Sequence, residues 1–560
     1  MKKKLLIILA FMSSVVAWAH DVEIDGIYYN LDTTNKVATV TYRGDYASSY
    51  KGEYLGEITI PSELNYNSEK YKVELISKSA FEGCEGITTI NLPNSIISIG
   101  QFAFSGCAEL TSIIIPDKVS IIESFTFYNC KNLHTITIGA GIKEINNTAF
   151  QLCGNLTNIL WKVATMEDFL YAHNTPFYGI KSQITSFVFG ENVEHIPAYL
   201  CKGMVNLQEL TIPRNVKSIG EDAFYGNTSL KSVTISSVEL SVKNFAFQGC
   251  TSLSKVNYLG DVNNWAQFTF SNAYANPITN SKNLYVNNTL LTTLRITSAE
   301  SINAYTFVNC HSLETLIANN VNTIGGTAFG NCYGLRSVTL GKALTTIWSL
   351  AFESCTKLNY VNFLGNIDEW TDIYFGSLTA NPVYYSRRLY LSSELLKNVK
   401  LSCKNLGAYA FAGCESIENV EILEDIERLG NQAFYECDGI GVVKSHSIEV
   451  PAMGNDVFTG VSDEIQLYVP CSSVENYKLD DTFGRFKNIN CFNPEEEPTD
   501  VLDIYSNPNI SVENGLISSE DLDFRIFNTA GQDVTSQNGN LSSGVYIVAT
   551  DKTVTKVMMQ

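Results

Sequence analysis

Apolar and polar positions repeat along this chain with a period of about 23 residues. The stretch AFEGCEGITTINLPNSIISIG, residues 80–100, gives the pattern, which returns with the same spacing of Phe, Cys, Leu or Ile, and Pro. A fixed period of this length is typical of a solenoid, in which each coil buries its apolar face against its neighbours. The sequence therefore predicts a β-rich solenoid of about 13 coils of about 23 residues, with a parallel sheet.

Each coil has one position, here called the aromatic position, that is Phe in all coils but one. The aromatic positions are Phe81, Phe104, Phe127, Phe150, Cys201, Phe224, Phe247, Phe307, Phe329, Phe352, Phe411, Phe434 and Phe458. Later in each coil, two apolar residues separated by one, such as Val338 and Leu340, predict a short strand with both side chains pointing inward. Parallel strands about 4.8 Å apart align such residues into continuous apolar columns.

Three residues after the aromatic position, most coils carry a cysteine, and we call this the cysteine position. The structural cysteines are Cys84, Cys107, Cys130, Cys153, Cys250, Cys310, Cys332, Cys355, Cys414 and Cys437. Other coils have Met, Asn or Val there, which favours a small apolar space filled by an unpaired thiol. Cys471 and Cys491 lie outside this ladder and are candidates for a structural disulfide.

Three inserts interrupt the repeat, near residues 161–187, 259–295 and 364–400. The second and third are copies of each other at a constant offset of 105 residues, which matches Trp265 with Trp370. These tryptophans are either exposed binding residues or plugs that close the side of the solenoid. Large rings usually bury, which favours the plug.

The residue between the two inward strand positions must face outward. Candidate binding residues on this ribbon are Thr137, Thr211, Thr234, Asn257, Thr339 and Asn362, with Tyr360 beside them. Strand propensity alone explains Thr on a solvated strand, whereas an extended docking surface is the usual use of a solenoid sheet. The sequence leaves both interpretations open.

The chain ends indicate how the protein is organised. Three lysines, an apolar run and the small-residue site Ala17-Trp18-Ala19 are typical of a secretory signal peptide. The predicted order is a signal peptide at 1–19, an N-terminal β cap at 20–75, the solenoid at 76–492 with its C-terminal cap at 445–492, a linker at 493–500 and a small all-β domain at 501–560.

The charge and composition of the chain disfavour several classes of function. A formal net charge of -20 disfavours binding to nucleic acid or to anionic membranes, and no apolar run is long enough to span a bilayer. The six histidines are scattered, and no metal-binding or nucleophile motif occurs. We therefore expect no cofactor, no metal and no enzymatic activity.

The repeat AFxxCxxLxxIxIPxxVxxIG, the inserts with Trp and Asn-Pro, and the closing LYVPCSSVENY resemble the BspA-type leucine-rich-repeat proteins of the Bacteroidota. The likeness covers nearly all of residues 21–492. The last segment, with Gly531, GVYIV at 544–548 and Lys556, resembles the C-terminal sorting domain of type IX secretion substrates.

These resemblances imply a leucine-rich-repeat solenoid that is exported to the outer surface of a Gram-negative cell or released. They also imply a tail that is removed as the body is attached to surface lipopolysaccharide, and adhesion to host matrix proteins or other bacteria. An alternative is a surface glycan-binding protein for nutrient capture, with Trp265 and Trp370 as platforms if exposed. An enzyme hidden in the inserts is disfavoured, because the copies share no nucleophile, base or ligand set.

Overall fold

The computed structural model describes residues 20–44, 46–47, 51–493, 510–513, 516–519, 524–528, 532–538, 544–550 and 554–559. The predicted signal peptide and all but the first residue of the predicted linker lie outside the described residues. The chain divides into two compact units, residues 1–490 and 491–560.

The first unit is the predicted β solenoid, in which most coils contribute a first strand and, about nine residues later, a two-residue second strand. The first strands are Ile87–Asn91, Ser112–Ile114, Thr135–Ile138, Asn158–Trp161, Ser186–Phe189, Glu209–Ile212, Ser232–Ile235, Lys255–Tyr258, Leu284–Val286, Thr293–Ile296, Thr315–Ala318, Ser337–Leu340, Tyr360–Phe363, Tyr390–Leu391, Asn398–Leu401, Asn419–Ile422, Val442–Ser445 and Gln466–Pro470. The second strands are Ser98–Ile99, Ile121–Ile122, Glu144–Ile145, His195–Ile196, Ser218–Ile219, Ser241–Val242, Thr269–Phe270, Ser301–Ile302, Thr323–Ile324, Thr346–Ile347, Tyr374–Phe375, Asn405–Leu406, Arg428–Leu429 and Ala452–Met453.

The remaining elements lie at the ends and in the inserts. The other strands of this unit are Val22–Ile24, Ile27–Asp32, Val37–Thr41, Gly56–Thr59, Glu63–Tyr66, Glu69–Ile76, Thr289–Leu290 and Glu394–Leu395, with Asn488–Phe492 at its boundary. The α-helices are Val262–Gln267, Ile278–Ser281, Ile367–Thr371, Val383–Ser386 and Val474–Leu479. The 3₁₀ helices are Ala172–Asn174, Tyr178–Gln183, Ala273–Ala275, Leu378–Ala380 and Cys471–Ser473. None of the helices described here combines the length and apolar character needed to cross a bilayer.

The first strands pair in parallel register, but their sheet is interrupted between Ile87–Asn91 and Ser112–Ile114 and again at the inserts. One sheet ends at Ser186–Phe189, and the next begins at Glu209–Ile212. In the second insert a hairpin, residues 284–290, closes its sheet, and residues 390–395 do the same in the third. The outward surface is therefore divided into segments.

Stacked aromatic rings run through the core. The ring centroids of Phe104 and Phe127 lie 5.3 Å apart and those of Phe127 and Phe150 lie 5.5 Å apart, with nearly parallel planes. Phe177, inside the first insert, continues the stack at 5.3 Å from Phe150. The first insert therefore contributes a core ring that the sequence pattern did not reveal.

The residue two positions after the aromatic position is left-handed in all thirteen coils. Seven are glycine and three are asparagine, the residues that adopt positive φ most readily; the exceptions are Leu152, Ser354 and Glu436. This conformation lets the backbone N–H donate to the next coil, as from Gly106 to the carbonyl of Tyr128 at 2.7 Å. The coil turn is thus hydrogen-bonded from coil to coil like the strands.

Replacing Leu152 with glycine is expected to stabilise the solenoid by about 1 kcal/mol. Leu152 has a φ of 63° and its side chain is 54% exposed, so the substitution relieves strain and loses little packing. The free energy of unfolding in urea measures the effect. Leu152→Ala is the control, because it removes the same side chain but keeps the Cβ; equal stabilities of the two variants would contradict the explanation.

The N-terminal strands cover both sheets of the first coil. Glu69–Ile76 pairs in parallel with Ser98–Ile99 in the second-strand sheet. Gly56–Thr59 pairs with Ile87–Asn91 in a separate two-stranded sheet. Each strand of the first coil is therefore paired with an N-terminal strand.

The second unit contains two antiparallel sheets in its described residues. Ile510–Glu513 pairs with Leu516–Ser519. Gly544–Thr550 pairs with Phe524–Asn528 on one side and Val554–Met559 on the other. The 3₁₀ helix Thr535–Gln537 lies in sequence between the strands Phe524–Asn528 and Gly544–Thr550. A small separate core contains Ile517, Ile526, Val534, Tyr546 and Val548.

Candidate binding surfaces

Four outward residues form an apolar ribbon on the four-stranded sheet that runs from Ser112–Ile114 to Ser186–Phe189. We define this ribbon as Ile114, Thr137, Leu160 and Val188. Strand register places them side by side in that order. Ile114 is 64% exposed and Val188 is 51% exposed, whereas Thr137 is buried between its neighbours. The sequence named only Thr137 as a binding residue here, and its burial means that the surface consists mainly of the flanking apolar side chains.

Other predicted ribbon residues remain at the surface. Thr211 is exposed, and Thr234 and Thr339 are partly exposed. Thr211 lies beside Thr234 in register. Tyr360 is partly buried, with its ring 4.6 Å from that of Tyr390.

Asn257 and Asn362 are not available to a partner, contrary to the sequence-based expectation. Asn257 Oδ1 accepts a hydrogen bond from the backbone N–H of Asn288 at 2.9 Å, and its Nδ2 donates to Asn288 Oδ1 at 3.0 Å. Asn362 Oδ1 likewise accepts from the N–H of Ser393 at 2.9 Å. Both asparagines are buried because the insert hairpins fold against them.

The insert tryptophans are buried and cannot act as binding platforms. Trp265 Nε1 donates to the carbonyl of Thr306 at 2.8 Å, and Trp370 Nε1 donates to that of Ala410 at 2.9 Å. Both acceptors immediately precede an aromatic position. Neither indole is exposed, because each ring fills the core of its coil. This arrangement corresponds to the plug interpretation.

The asparagine of each insert's Asn-Pro pair completes the plug. Asn276 Nδ2 donates to the carbonyls of Tyr305 and Thr306 at 2.8 and 2.9 Å. Asn381 does the same with Tyr409 and Ala410, at 2.8 and 3.0 Å. The shared Trp and Asn of the inserts therefore satisfy backbone carbonyls of the following coil.

The cysteine position carries a hydrogen-bond donor as well as an apolar side chain. Cys130 Sγ lies 3.1 Å from the carbonyl of Phe104, and Cys437 Sγ lies 3.1 Å from that of Phe411, each one coil earlier. The same contact is made by Cys107, Cys153, Cys250, Cys332 and Cys355. The same carbonyls also accept the backbone N–H three residues later, as Phe104 does from Cys107 at 3.2 Å and Phe411 does from Cys414 at 2.9 Å. The thiol is therefore a second donor to the carbonyl, which has two lone pairs.

Two other side chains take this role where no cysteine is present. Asn280 Nδ2 donates to the carbonyl of Phe247 at 2.8 Å in the second insert. Arg485 Nη2 donates to that of Phe458 at 2.6 Å in the C-terminal cap. Sequence reasoning missed these donors because Asn280 lies in the second insert and Arg485 in the C-terminal cap, where the repeat pattern does not apply.

Cys471 and Cys491 are disulfide-bonded, and the other twelve cysteines are free thiols. All of the free thiols except Cys403 are buried. Across the described ranges, no group of three or more His, Cys, Asp or Glu side chains is arranged to hold a metal ion.

One set of side chains has the residue types of a hydrolytic triad. His195 Nε2 lies 2.9 Å from Asp168 Oδ1, and His195 Nδ1 lies 2.7 Å from Ser218 Oγ. The backbone N–H groups of Ser218 and Gly220, however, both donate to the preceding coil. They therefore cannot act as the oxyanion donors that acyl transfer requires, so we assign the cluster to the surface hydrogen bonding of the second-strand sheet.

A family model described as BspA type leucine rich repeat region matches the chain at residues 46–175, 171–290, 278–389 and 386–497. The chain belongs to the BspA-type leucine-rich-repeat family. Membership covers the whole solenoid with its inserts, so the repeat resemblance seen in the sequence is confirmed. Members of this family are repeat proteins of the cell surface or secreted kind.

Solved structures similar to this BspA-type chain are leucine-rich-repeat and bacterial surface proteins. A leucine-rich repeat protein from Bacteroides ovatus is 19% identical and covers 84% of this chain and 100% of its own, with a TM-score of 0.28. A leucine rich cell surface protein from Faecalibacterium prausnitzii is 18% identical over 76% of this chain and 94% of its own, with a TM-score of 0.27. The pneumococcal vaccine antigen PcpA is 14% identical over 85% of this chain and 98% of its own, with a TM-score of 0.22. No curated protein matches the chain.

The thiols of this BspA-type solenoid are expected to resist alkylation in the native state. Burial raises the pKa of Cys250 and Cys355 to about 12, so both stay protonated at pH 8. Cys403 is only partly buried and should react first. Mass spectrometry after brief treatment with iodoacetamide at pH 8 measures this order, with urea-unfolded protein as the control. Native labelling of Cys355 as fast as Cys403 would contradict it.

Proposed function

We propose that this protein is a surface or released adhesin that binds other proteins through the outward face of its first strands. Host matrix proteins or proteins of other bacteria are the partners that fit such an extended surface. Binding, not catalysis, is the activity. The observation that carries the proposal is the apolar ribbon, in which Ile114 and Val188 are exposed on the sheet of a strongly acidic protein.

The surroundings of the ribbon support a protein partner. Its four strands are separated by three spacings and span about 14 Å. The neighbouring outward positions are the small polar residues Ser112, Thr135, Asn158 and Ser186, aligned in register. An apolar centre with a polar rim is the usual composition of a protein interface. Small rim side chains also leave the sheet flat, so a large partner can approach the ribbon closely.

The test is binding of the chain to immobilised fibronectin, fibrinogen, collagen and mucin at two salt concentrations. Ile114→Asp and Val188→Asp place charges in the ribbon and should weaken binding at least tenfold, as expected when an interface centre is disrupted. Ile121→Asp is the matched control, because Ile121 is 39% exposed but lies on a second strand. Binding that the ribbon variants leave unchanged would overturn the proposed surface, and no binding to any of the four proteins would count against these partners.

Export is a second part of the proposal. The signal peptide at 1–19 would direct passage across the inner membrane, and the domain at 501–560 would direct type IX secretion across the outer membrane. The antiparallel sheets at the C-terminus support a separate folded sorting domain. Deleting residues 501–560 in a Bacteroidota host should move the protein from the cell surface to the periplasm, as measured by protease accessibility on intact cells. Unchanged surface display would exclude this role.

A further inference from the structure

Each of the two duplicated inserts has a positively charged side chain at the same position. Lys282 ends the helix Ile278–Ser281, and Arg387 ends the helix Val383–Ser386. Both residues are left-handed, with φ of 62° and 60°, and both stand at the offset of 105 residues that relates the inserts. The two sites can therefore be compared residue by residue.

In the third insert the cation is fully neutralised. Arg387 Nε lies 2.7 Å from Glu415 Oε1, and its Nη1 lies 2.9 Å from Glu436 Oε2. Its Nη2 lies 3.8 Å from Asp438 Oδ1. Three carboxylates of the following coils therefore compensate one guanidinium.

Around Lys282 the three corresponding positions, in the coils after the second insert, hold no carboxylate. His311 stands where the third insert's site has Glu415, Asn331 stands for Glu436, and Tyr333 stands for Asp438. The positions correspond because each lies two or four residues after the aromatic position of its coil. The two copies therefore share the cation but differ in its counter-ions.

The retained lysine has an incompletely satisfied environment. Within the described part of the chain, no carboxylate lies within ion-pair distance of Lys282, and its Nζ donates to the carbonyl of Thr279 at 2.6 Å. The side chain is partly buried, and this burial lowers the pKa of Lys282. Nearby, His311 Nε2 is buried and has no hydrogen-bond partner among the described residues. Its pKa is lowered by burial and by Lys282, which favours the neutral ring.

Lys282 lines an open pocket of about 520 Å³ that is rich in polar side chains. Asn280, Asn309 and Asn331 contribute amides, and the exposed Tyr274 contributes an aromatic ring. Each amide nitrogen already donates once inside the protein, to the carbonyl of Phe247, to Thr279 Oγ1 and to Asn309 Oδ1 respectively, and each carries a second N–H. Amides can both donate to and accept from the hydroxyl groups of a ligand. A tyrosine ring offers an apolar face with a polar tip.

We propose that this pocket binds an anionic sugar, whose carboxylate or sulfate pairs with Lys282. The ligand's charge takes the place of the three carboxylates at the third insert. Its hydroxyls meet the asparagine amides, and its ring lies near Tyr274. A neutral sugar cannot compensate the lysine, so the site selects for charge as well as for hydroxyls. This site is separate from the apolar ribbon and does not depend on the adhesin proposal.

The test is isothermal titration of the whole chain with 3′-sialyllactose, 6-sulfo-N-acetylglucosamine and lactose. We expect binding of at least one of the two charged sugars and none of lactose. The first probe carries a carboxylate and the second a sulfate, so the pair distinguishes the two anions. Lys282→Gln should weaken binding by roughly tenfold to a hundredfold, the usual loss for a charge-assisted hydrogen bond.

Two further variants test whether a loss of binding comes from the charge balance around Lys282 or from a change in folding. Asn331→Glu introduces the carboxylate that the third insert has at this point, and should abolish binding while Lys282 stays in place. Arg387→Gln is the matched control and should leave sugar binding unchanged, with thermal unfolding checking that each variant folds. Binding of lactose as tight as the charged sugars, binding unaffected by Asn331→Glu, or absence of binding to all three sugars would overturn the proposal.

Discussion

Replacing Trp370 with alanine is expected to destabilise the solenoid by about 3 to 5 kcal/mol, the usual cost of deleting a large buried ring. Trp370 is completely buried in the third insert, where its ring lies 5.4 Å from that of Phe363 and 5.5 Å from that of Phe375. Urea unfolding followed by intrinsic fluorescence and circular dichroism measures the change. The free energy should fall mainly through the cavity, because Asn381 still donates to the carbonyl of Ala410 when the indole is absent.

Trp348 provides a matched control for this prediction. It is the same residue type in the same unit, but it is 50% exposed. Trp348→Ala should therefore cost less than about 1 kcal/mol, as surface substitutions generally do. Trp370→Phe, which keeps most of the ring volume, should fall between the two alanine variants. A similar small loss for Trp370→Ala and Trp348→Ala would contradict the assignment of Trp370 as a core plug.

Much of this fold could be predicted because every coil of a solenoid packs against its neighbours in the same way. The period of about 23 residues fixes which side chains meet in neighbouring coils, so the stacking of Phe104 on Phe127 and the inward strand positions follow from the sequence. The left-handed turn residue could also have been predicted, from the residue types at one position of the repeat. It is glycine or asparagine in ten of the thirteen coils, which is a backbone signal that side-chain periodicity alone does not reveal.

The candidate binding surface was predicted less well, for a physical reason. Alternation along a strand tells which residues face outward, but not what else covers them. Asn257 and Asn362 face outward and are nevertheless buried, because hairpins about 31 residues further along the chain hydrogen-bond to their side chains. The apolar ribbon was missed for a related reason: Leu160 and Val188 flank the first insert, where the repeat pattern breaks.

The cysteine position shows a contact that the repeat pattern does not reveal. Its thiols are buried, yet side-chain volume alone does not explain why Asn280 and Arg485 make the same contact elsewhere. The shared feature is a side-chain donor to the carbonyl of an earlier aromatic residue, which also accepts a backbone N–H from its own coil. This feature becomes visible only when coils are placed against each other.

Replacing Phe127 with alanine is expected to cost about 3 to 5 kcal/mol of the free energy of unfolding. Phe127 is fully buried, and its ring stacks on Phe104 on one side and Phe150 on the other. Phe245 offers the control: it is an exposed phenylalanine of the same solenoid, so Phe245→Ala should change stability by less than about 1 kcal/mol. Equal effects of the two substitutions would mean that the ring stack does not stabilise the core.

Double substitutions test whether stability is carried from coil to coil. Phe104 and Phe127 touch, so their alanine substitutions should be coupled by about 0.5 to 1.5 kcal/mol, the range for stacked aromatic pairs. Phe104 and Phe434 occupy the same position in distant coils, and their substitutions should add within about 0.5 kcal/mol. Comparable coupling in both pairs would indicate that the solenoid unfolds as one indivisible core. Coupling confined to the adjacent pair would establish that each coil is held mainly by its neighbours, which is the property that allows such a chain to tolerate inserts.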